Sequence, residues 1–187
     1  MAHRICPYWV GYLLLAPFRK FAHNPERILG PHIRAGMTVL DVGCAMGFFS
    51  LPLARMVGAQ GKVVCIDVQE RMLRALHRRA VKAGLADRIV EHLATSGSLG
   101  LAEFEAGIDF ALVFAVVHEV PDAPGLFAEV LKALRPGARC LVAEPIFHVR
   151  EAAFEVTLAA AREKGLELVE RPRIARSRAA LLTKPGG

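Results

Sequence analysis

The sequence predicts an α/β fold in which a mostly parallel sheet carries helices on both faces. Short runs that are apolar almost throughout alternate with amphipathic stretches, and such runs are typical of strands buried on both faces of a parallel sheet. Alternating strands and helices imply right-handed βαβ crossovers. The runs predicted to be strands are 38–42, 62–67, 88–94, 108–117, 138–145, 166–170 and 178–184.

The end of the chain departs from this alternation. Only the letters RPRIARS separate the last two predicted strands, and this connection is too short for a crossover helix. We therefore expect these strands to pair as a hairpin, with one strand antiparallel to the rest of the sheet.

The stretches between the strands have the apolar spacing of helices that pack on a sheet. A short helix within 24–38 precedes the first strand, and Gly84, Pro136-Gly137 and Gly165 are predicted to end the three longer helices. The apolar residues predicted to face the sheet are Met72, Leu73, Leu76 and Ala80 in the first of these, Leu126, Phe127, Val130, Leu131 and Leu134 in the second, and Phe154, Leu158 and Ala161 in the third.

Length and composition predict a globular chain with a large core. Of its 187 residues, 53% are hydrophobic and 22% are charged, which argues against disorder. The net charge of +6 permits a nucleic-acid partner, but a solvated helix face and a basic tail are the favoured interpretation. The four cysteines form no CxxC pair, so no metal or redox site is predicted, and a cytoplasmic location fits them.

The N-terminal residues form a separate region in this interpretation. We expect an arm over residues 1–25 and a single domain over residues 26–187. Residues 8–18, with the letters YWVGYLLLAPF, are apolar but shorter than the roughly 20 residues that span a bilayer. Three interpretations remain open: a docking arm, a lid over the active site, or an interfacial anchor that makes a peripheral membrane contact.

A glycine turn at the tip of the first strand predicts a ligand. Gly43 and Gly47 follow the buried run that contains Asp41, and ligands of open α/β sheets bind beyond the carboxyl ends of the strands. Asp67, which ends the second strand, stands where a ribose-binding carboxylate belongs. The Asp41 carboxylate would repel a pyrophosphate, so we expect a ligand with a ribose and positive charge, as in S-adenosylmethionine. A tight structural turn without a ligand is the alternative interpretation of the glycines alone.

Several motifs, in order, resemble one enzyme family. The letters VLDVGCAMGFFSL resemble motif I of the class I S-adenosylmethionine-dependent methyltransferases, VVCIDVQERML their second motif and FALVFAVVHEVPD their fourth. The letters LKALRPGARCLVAEP resemble the segment that leads into their fifth strand, and the similarity covers residues 26–184. The resemblance implies a Rossmann-like, seven-stranded, mostly parallel sheet with an antiparallel last strand, and S-adenosylmethionine as the cofactor, with S-adenosylhomocysteine as the product.

The resemblance also implies a role for each matching residue. Asp67 would accept hydrogen bonds from both ribose hydroxyls, and Asp41 would help to orient the ammonium group of the cofactor. The other residues implied to contact it are Gly43, Cys44, Ala45 and Gly47 beside the methionine part, Val68 and Met72 beside the adenine, and Phe114 and Ala115 at the end of the fourth strand.

Two positions depart from the family pattern. Ala45 stands where the family usually has glycine, so its methyl group is expected to weaken binding. Replacing Ala45 by glycine should keep or tighten binding at some cost in stability. At the end of the third strand, Thr95 or Ser96 falls nearest the place of an acid that meets the adenine amino group, and a hydroxyl would substitute less strongly.

His118 is the candidate catalytic residue. It follows the fourth strand, and a histidine can take a proton from an acceptor at neutral pH. Glu119 would orient it or bind a cationic acceptor, and Glu144 is a further carboxylate at the end of the fifth strand. A role for all three residues in shaping loops remains open.

The predicted function is S-adenosylmethionine-dependent methylation of a small or medium, apolar molecule. Two alternatives remain open: an RNA or protein methyltransferase, and a non-catalytic protein that binds S-adenosylmethionine. The sequence leaves the acceptor atom and the oligomeric state open.

Overall fold

A computed structural model of the chain describes residues 22–95 and 97–186. Most of the predicted arm, including residues 8–18, and Ser96 lie outside the described residues. Within the described part, no helix is long and apolar enough to cross a bilayer.

The seven predicted strands are present and form one mixed sheet, in the order β3-β2-β1-β4-β5-β7-β6. The strands are β1 (Thr38–Val42), β2 (Lys62–Asp67), β3 (Ile89–Leu93), β4 (Ile108–Phe114), β5 (Leu134–Pro145), β6 (Glu167–Glu170) and β7 (Ser177–Thr183). The helices are α1 (Pro25–Leu29), α2 (Ser50–Met56), α3 (Glu70–Lys82), α4 (Ala123–Ala133) and α5 (Glu151–Glu163). Helices flank the sheet, and single 3₁₀ turns occur at Ala86–Arg88, Leu101–Phe104 and Val117–Glu119.

The chain divides into two compact units, with the boundary between Ala94 and Thr95. In the N-terminal unit, β1 and β3 both pair parallel with β2. The strands β1 and β2 are buried apart from their first residues, as expected for strands covered on both faces. The predicted apolar face of α3 is buried as well.

In the C-terminal unit, β4 and β5 are parallel, and β7 is antiparallel to both β5 and β6. The predicted hairpin of the last two strands is therefore confirmed. The helix α5 buries the three predicted residues, Phe154, Leu158 and Ala161, and Gly165 follows it with a φ of +105°. Positive φ is accessible to glycine at little cost, which explains the stop.

Two predicted boundaries are wrong in this unit. The helix α4 ends at Ala133, and Leu134 already has an extended backbone at the start of β5. Leu134 pairs with Ile108 of β4 and is buried there. Its burial in a strand is consistent with the same apolar spacing that predicted it on a helix face. The strand β4 ends at Phe114 instead of residue 117, because Ala115 turns the chain with a φ of +58°.

Candidate functional site

The predicted glycine turn begins where β1 ends. Gly43, Ala45 and Gly47 have φ values of +70°, +48° and +83°, so the left-handed conformation recurs at every second residue. The backbone amides of Gly43 and Cys44 both donate to the carbonyl oxygen of Ile66 in β2, at 2.9 Å each. Within 43–47, only Gly43 and Ala45 are partly exposed, so these two residues present the turn to solvent.

Asp67 is tied directly to this turn. The amide of Ala45 donates to Oδ2 of Asp67 at 3.0 Å, and the amide of Gln69 donates to Oδ1 at 2.8 Å. The carboxyl group is almost buried, with the residue 8% exposed. A carboxylate has about four acceptor positions, so a group of this type can accept more hydrogen bonds than these two. The two features that the sequence singled out, the turn and the acid, are thus one hydrogen-bonded unit.

The helix α3 packs closely against the same turn. A Cβ atom on Gly47 would lie 2.4 Å from Cδ1 of Leu76, so α3 approaches the backbone of Gly47 too closely for a side chain without a shift of Leu76. The guanidinium group of Arg79 donates to the carbonyl oxygen of Met46. Met72 is buried against Met46 in a small apolar cluster.

Asp41 is buried beneath the turn. Its residue is 3% exposed, and its Oδ2 accepts a hydrogen bond of 2.6 Å from the hydroxyl of Ser50, the first residue of α2. Ser50 was not among the residues predicted from the sequence, although a serine that follows a glycine turn into a helix is the signal that could have identified it. Val68, in contrast, is 41% exposed.

The structure argues against thiol chemistry at the turn. Cys44 is buried, and burial is the main cause that raises the pKa of its thiol well above the usual value, followed by the neighbouring Cys65. A thiol with a raised pKa stays protonated at neutral pH and is a poor nucleophile. Cys44 is therefore a structural residue of the turn.

A second group of polar residues lies in the C-terminal unit, where β4 and β5 end. Glu144 is 1% exposed, and its Oε1 accepts hydrogen bonds from the amides of Val116 and Val117, at 3.1 and 2.8 Å. Its Oε2 is hydrogen-bonded to Nδ1 of His118. The candidate base and a buried carboxylate thus form a pair, and we call it the His118–Glu144 pair.

The surroundings of His118 favour its protonated form. Its pKa is raised from the ordinary value, mainly by the hydrogen bond to Glu144, although burial acts in the opposite direction. The negative charges of Glu144 and Glu119 add to the increase, and Nε2 lies 3.9 Å from Oε1 of Glu119. The ring of His148 stacks on that of His118, with 5.7 Å between the ring centroids and 11° between the planes. Because Nδ1 is held by Glu144, Nε2 is the nitrogen that remains for other partners.

The remaining predicted residues of this unit lie at the end of β4 or in turns. Ala115 has positive φ and donates from its amide to the carbonyl oxygen of Ala143 at 2.7 Å, whereas Phe114 before it is buried. The amide and hydroxyl of Thr95 lie 3.0 and 3.4 Å from the carbonyl oxygen of Ser98, to which both donate. The structure thus engages the Thr95 hydroxyl within its own loop, and contact of these residues with a cofactor stays a prediction.

The described residues contain no group of three or more histidine, cysteine, aspartate or glutamate side chains that could hold a metal ion.

Comparison with known proteins identifies the family. A family model described as "Methyltransferase domain" matches residues 33–172, which is most of the chain. The chain belongs to the class I S-adenosylmethionine-dependent methyltransferases. The match covers the glycine turn, Asp67 and the His118–Glu144 pair.

Two relatives and one solved structure are similar to this chain in sequence or in fold. The chain is 34% identical to "Nocamycin O-methyltransferase" of Saccharothrix syringae, over 69% of this chain and 44% of that protein. It is 30% identical to "Demethylmenaquinone methyltransferase" of Symbiobacterium thermophilum, over 65% of this chain and 49% of that protein. The chain thus spans about half the length of the curated relatives it matches. A SAM-dependent methyltransferase from Aquifex aeolicus has the same fold, with a TM-score of 0.85, 24% identity, and coverage of 96% of this chain and 100% of that one.

Proposed function

We propose that this chain binds S-adenosylmethionine at the glycine turn and transfers its methyl group to a small apolar molecule. The observation that carries the proposal is the hydrogen bond between the amide of Ala45 and Asp67, which joins the turn to the predicted ribose-binding acid. The family supports the cofactor, and the names of the two relatives support a small-molecule acceptor.

The residues at the turn fit the chemistry of this cofactor. A carboxylate can accept hydrogen bonds from both hydroxyls of a ribose, and the amides of Ala45 and Gln69 hold the Asp67 carboxylate beside the turn. Asp41 and Asp67 give the turn a negative charge, which favours a cationic ligand over a phosphate. Gly43 and Ala45 are the partly exposed residues of the turn, so their backbone is accessible to a ligand. When bound, S-adenosylmethionine supplies a methyl group on a positively charged sulfur.

In this proposal the His118–Glu144 pair provides the base. Glu144 holds the proton of His118 on Nδ1, so that Nε2 carries the lone pair that accepts a proton from the acceptor hydroxyl. The amides of Val116 and Val117 hold Glu144 in place, which orients the imidazole ring before an acceptor arrives. The ring of His148 covers one face of His118 and restricts its rotation. The acceptor oxygen would use the electron pair that its proton leaves behind to bond the methyl carbon, while the bond between that carbon and the cofactor sulfur would break and leave S-adenosylhomocysteine.

Binding and label transfer test this function in sequence. Calorimetry with S-adenosylmethionine and S-adenosylhomocysteine should show binding to the purified chain. The enzyme is then given methyl-labelled cofactor and a cell extract, and label is expected in the organic-soluble small molecules. Absence of binding would overturn the proposal. Label in RNA or protein would support the alternative methyltransferase classes, and binding without transfer would identify a non-catalytic binder.

The same proposal places the chain in a reducing compartment such as the cytoplasm. The described cysteines, Cys44, Cys65 and Cys140, are all free and buried, which fits such a compartment. Peripheral membrane contact through residues 8–18 stays a separate proposal, because those residues lie outside the described part of the chain.

A further inference from the structure

A tight turn between β5 and α5 presents two apolar side chains to solvent. The amides of His148 and Val149 both donate to the carbonyl oxygen of Pro145, at 3.0 and 2.9 Å, which closes the turn. Val149 is buried and anchors it, whereas Ile146 and Phe147 are 39% and 77% exposed. Phe147 is the most exposed large apolar residue described in the chain. Burial of these two neighbouring apolar side chains against a partner would be favourable, which makes the tip of the turn a candidate docking surface.

The loop between β6 and β7 lies beside this turn. The amide of Ile146 donates to the carbonyl oxygen of Arg176 at 3.1 Å, and Pro145 pairs with Ser177 across the sheet. The start of α5 is tied to the beginning of β7, directly after the same loop, because Nε of Arg178 lies 3.1 Å from Oε2 of Glu151. The turn and the loop therefore form one continuous surface.

The charge of this surface is positive. Arg150, Arg173 and Arg176 are exposed, and within the described residues no ion pair joins any of them to an acid. The two arginines that flank these residues are neutralised: Arg171 lies 2.6 Å from Glu155, and Arg178 of β7 pairs with Glu151. Glu170 is the remaining exposed acid at the start of the loop. The unpaired charge next to the apolar tip is thus mainly cationic.

We propose that this surface, formed by Ile146, Phe147, Arg150, Arg173 and Arg176, docks on an anionic lipid bilayer. Aromatic and aliphatic side chains insert at the boundary between headgroups and acyl chains, and neighbouring arginines attract anionic headgroups. The two apolar residues would enter the interface while the three guanidinium groups contact lipid phosphates.

Other occupants fit the surface less well. A second copy of the chain related by a two-fold axis would bring the arginines against each other, which is unfavourable. Single-stranded RNA is bound by several aromatic rings along a charged groove, whereas this surface has one ring beside an aliphatic side chain. An anionic bilayer satisfies both the apolar and the cationic residues at once.

Vesicle sedimentation with the full chain tests the proposal. Vesicles of phosphatidylcholine alone are compared with vesicles that also contain phosphatidylglycerol, and the parent is expected to bind the second kind more tightly. Phe147→Ser should lower the partition coefficient about tenfold or more, from the lost burial of a phenyl ring. The double variant Arg173→Ser/Arg176→Ser should lower it by more than tenfold, at about fivefold for each arginine near an anionic surface.

Two control substitutions on α5 show whether loss of any exposed apolar or basic side chain weakens vesicle binding. Val156 is 70% exposed and Arg162 is exposed, and both lie outside the proposed surface. Val156→Ser and Arg162→Ser should bind vesicles as the parent does. Thermal melting checks that every variant is folded.

Three results would overturn the inference. The first is vesicle binding that is unchanged in Phe147→Ser and in the arginine variant. That result would mean that another region, such as residues 8–18, contacts the bilayer. The second is equal binding to neutral and anionic vesicles. The third is retention of an RNA oligonucleotide by the parent without any vesicle binding. None of these readouts uses methyl transfer, so they are independent of the proposed activity.

Discussion

At the scale of single residues, Ala45 shows how the turn departs from the family pattern. Its φ of +48° is a conformation that costs an alanine about 1–2 kcal/mol and a glycine very little. From the sequence alone, Ala45→Gly is expected to lower stability through backbone entropy, but the positive φ of Ala45 reverses the sign of that effect. Ala45→Gly should raise the free energy of unfolding by about 1 kcal/mol, and cofactor affinity should stay equal or increase. Denaturation and calorimetry measure the two quantities.

A second alanine provides a matched control for this substitution. Ala106 also has positive φ, at +49°, but lies outside the glycine turn. Ala106→Gly should stabilise the protein to a similar extent without any change in cofactor affinity. A loss of affinity in Ala45→Gly would mean that the alanine methyl group contributes to the shape of the turn.

Asp67 has two roles that one substitution removes together. Asp67→Ala should weaken cofactor binding by about 1.5–3 kcal/mol, the range for a hydrogen bond to a charged group, and Asp67→Asn should lose less. The alanine variant should also be less stable, because the amides of Ala45 and Gln69 lose their acceptor. Calorimetry with S-adenosylhomocysteine measures the affinity, with the exposed Asp87→Ala as control. Parent-like affinity in Asp67→Ala would remove Asp67 from the cofactor site.

At the scale of elements, the ends of β4 and β5 cooperate through the His118–Glu144 pair. His118→Ala should leave cofactor affinity nearly unchanged and reduce turnover by roughly 10²–10⁴, the usual contribution of a positioned base. Calorimetry and the initial rate of methyl transfer give the two values. A reduction below tenfold would leave alignment of the reactants as the source of the rate, and loss of folding would give His118 a structural role.

The pH dependence of turnover tests Glu144 as a positioning residue. A base must be neutral, so turnover should fall as the pH drops through the pKa of His118, which lies above its ordinary value of about 6.5. Glu144→Gln removes the main cause of that increase while keeping an oxygen for the amides of Val116 and Val117. The midpoint of the pH profile should therefore move to lower pH. Glu119→Gln removes a smaller contribution to the pKa of His118, so it should move the midpoint less in the same direction. An unchanged midpoint in Glu144→Gln would mean that the His118–Glu144 pair is not the base.

At the scale of the whole molecule, the sequence was sufficient to predict those features of the fold that depend on residues close together in the chain. Apolar runs predicted the strands, because burial on both faces leaves a continuous apolar pattern in strands such as β1 and β2, and the short connection between the last two strands predicted the hairpin. The glycine spacing and the acid that ends the second strand singled out the turn and Asp67, but their direct hydrogen bond required the structure. The bond between His118 and Glu144 joins residues 26 positions apart, and no local pattern encodes which carboxylate a histidine meets. The burial of Leu134 imitated a helix because a paired strand buries a leucine equally well.

The predicted N-terminal arm, residues 1–25, can be tested by deletion. Deleting residues 1–20 should leave a protein that unfolds cooperatively and binds S-adenosylhomocysteine with parent affinity, because the sheet begins at Thr38 and Asp67 and the His118–Glu144 pair follow it. If the arm is a lid, turnover should fall, because closure over a bound substrate excludes water and aligns the reactants. Thermal melting, calorimetry and methyl transfer separate these effects. An insoluble truncated protein would mean that the arm contributes to the core, and unchanged turnover would show that it is no lid.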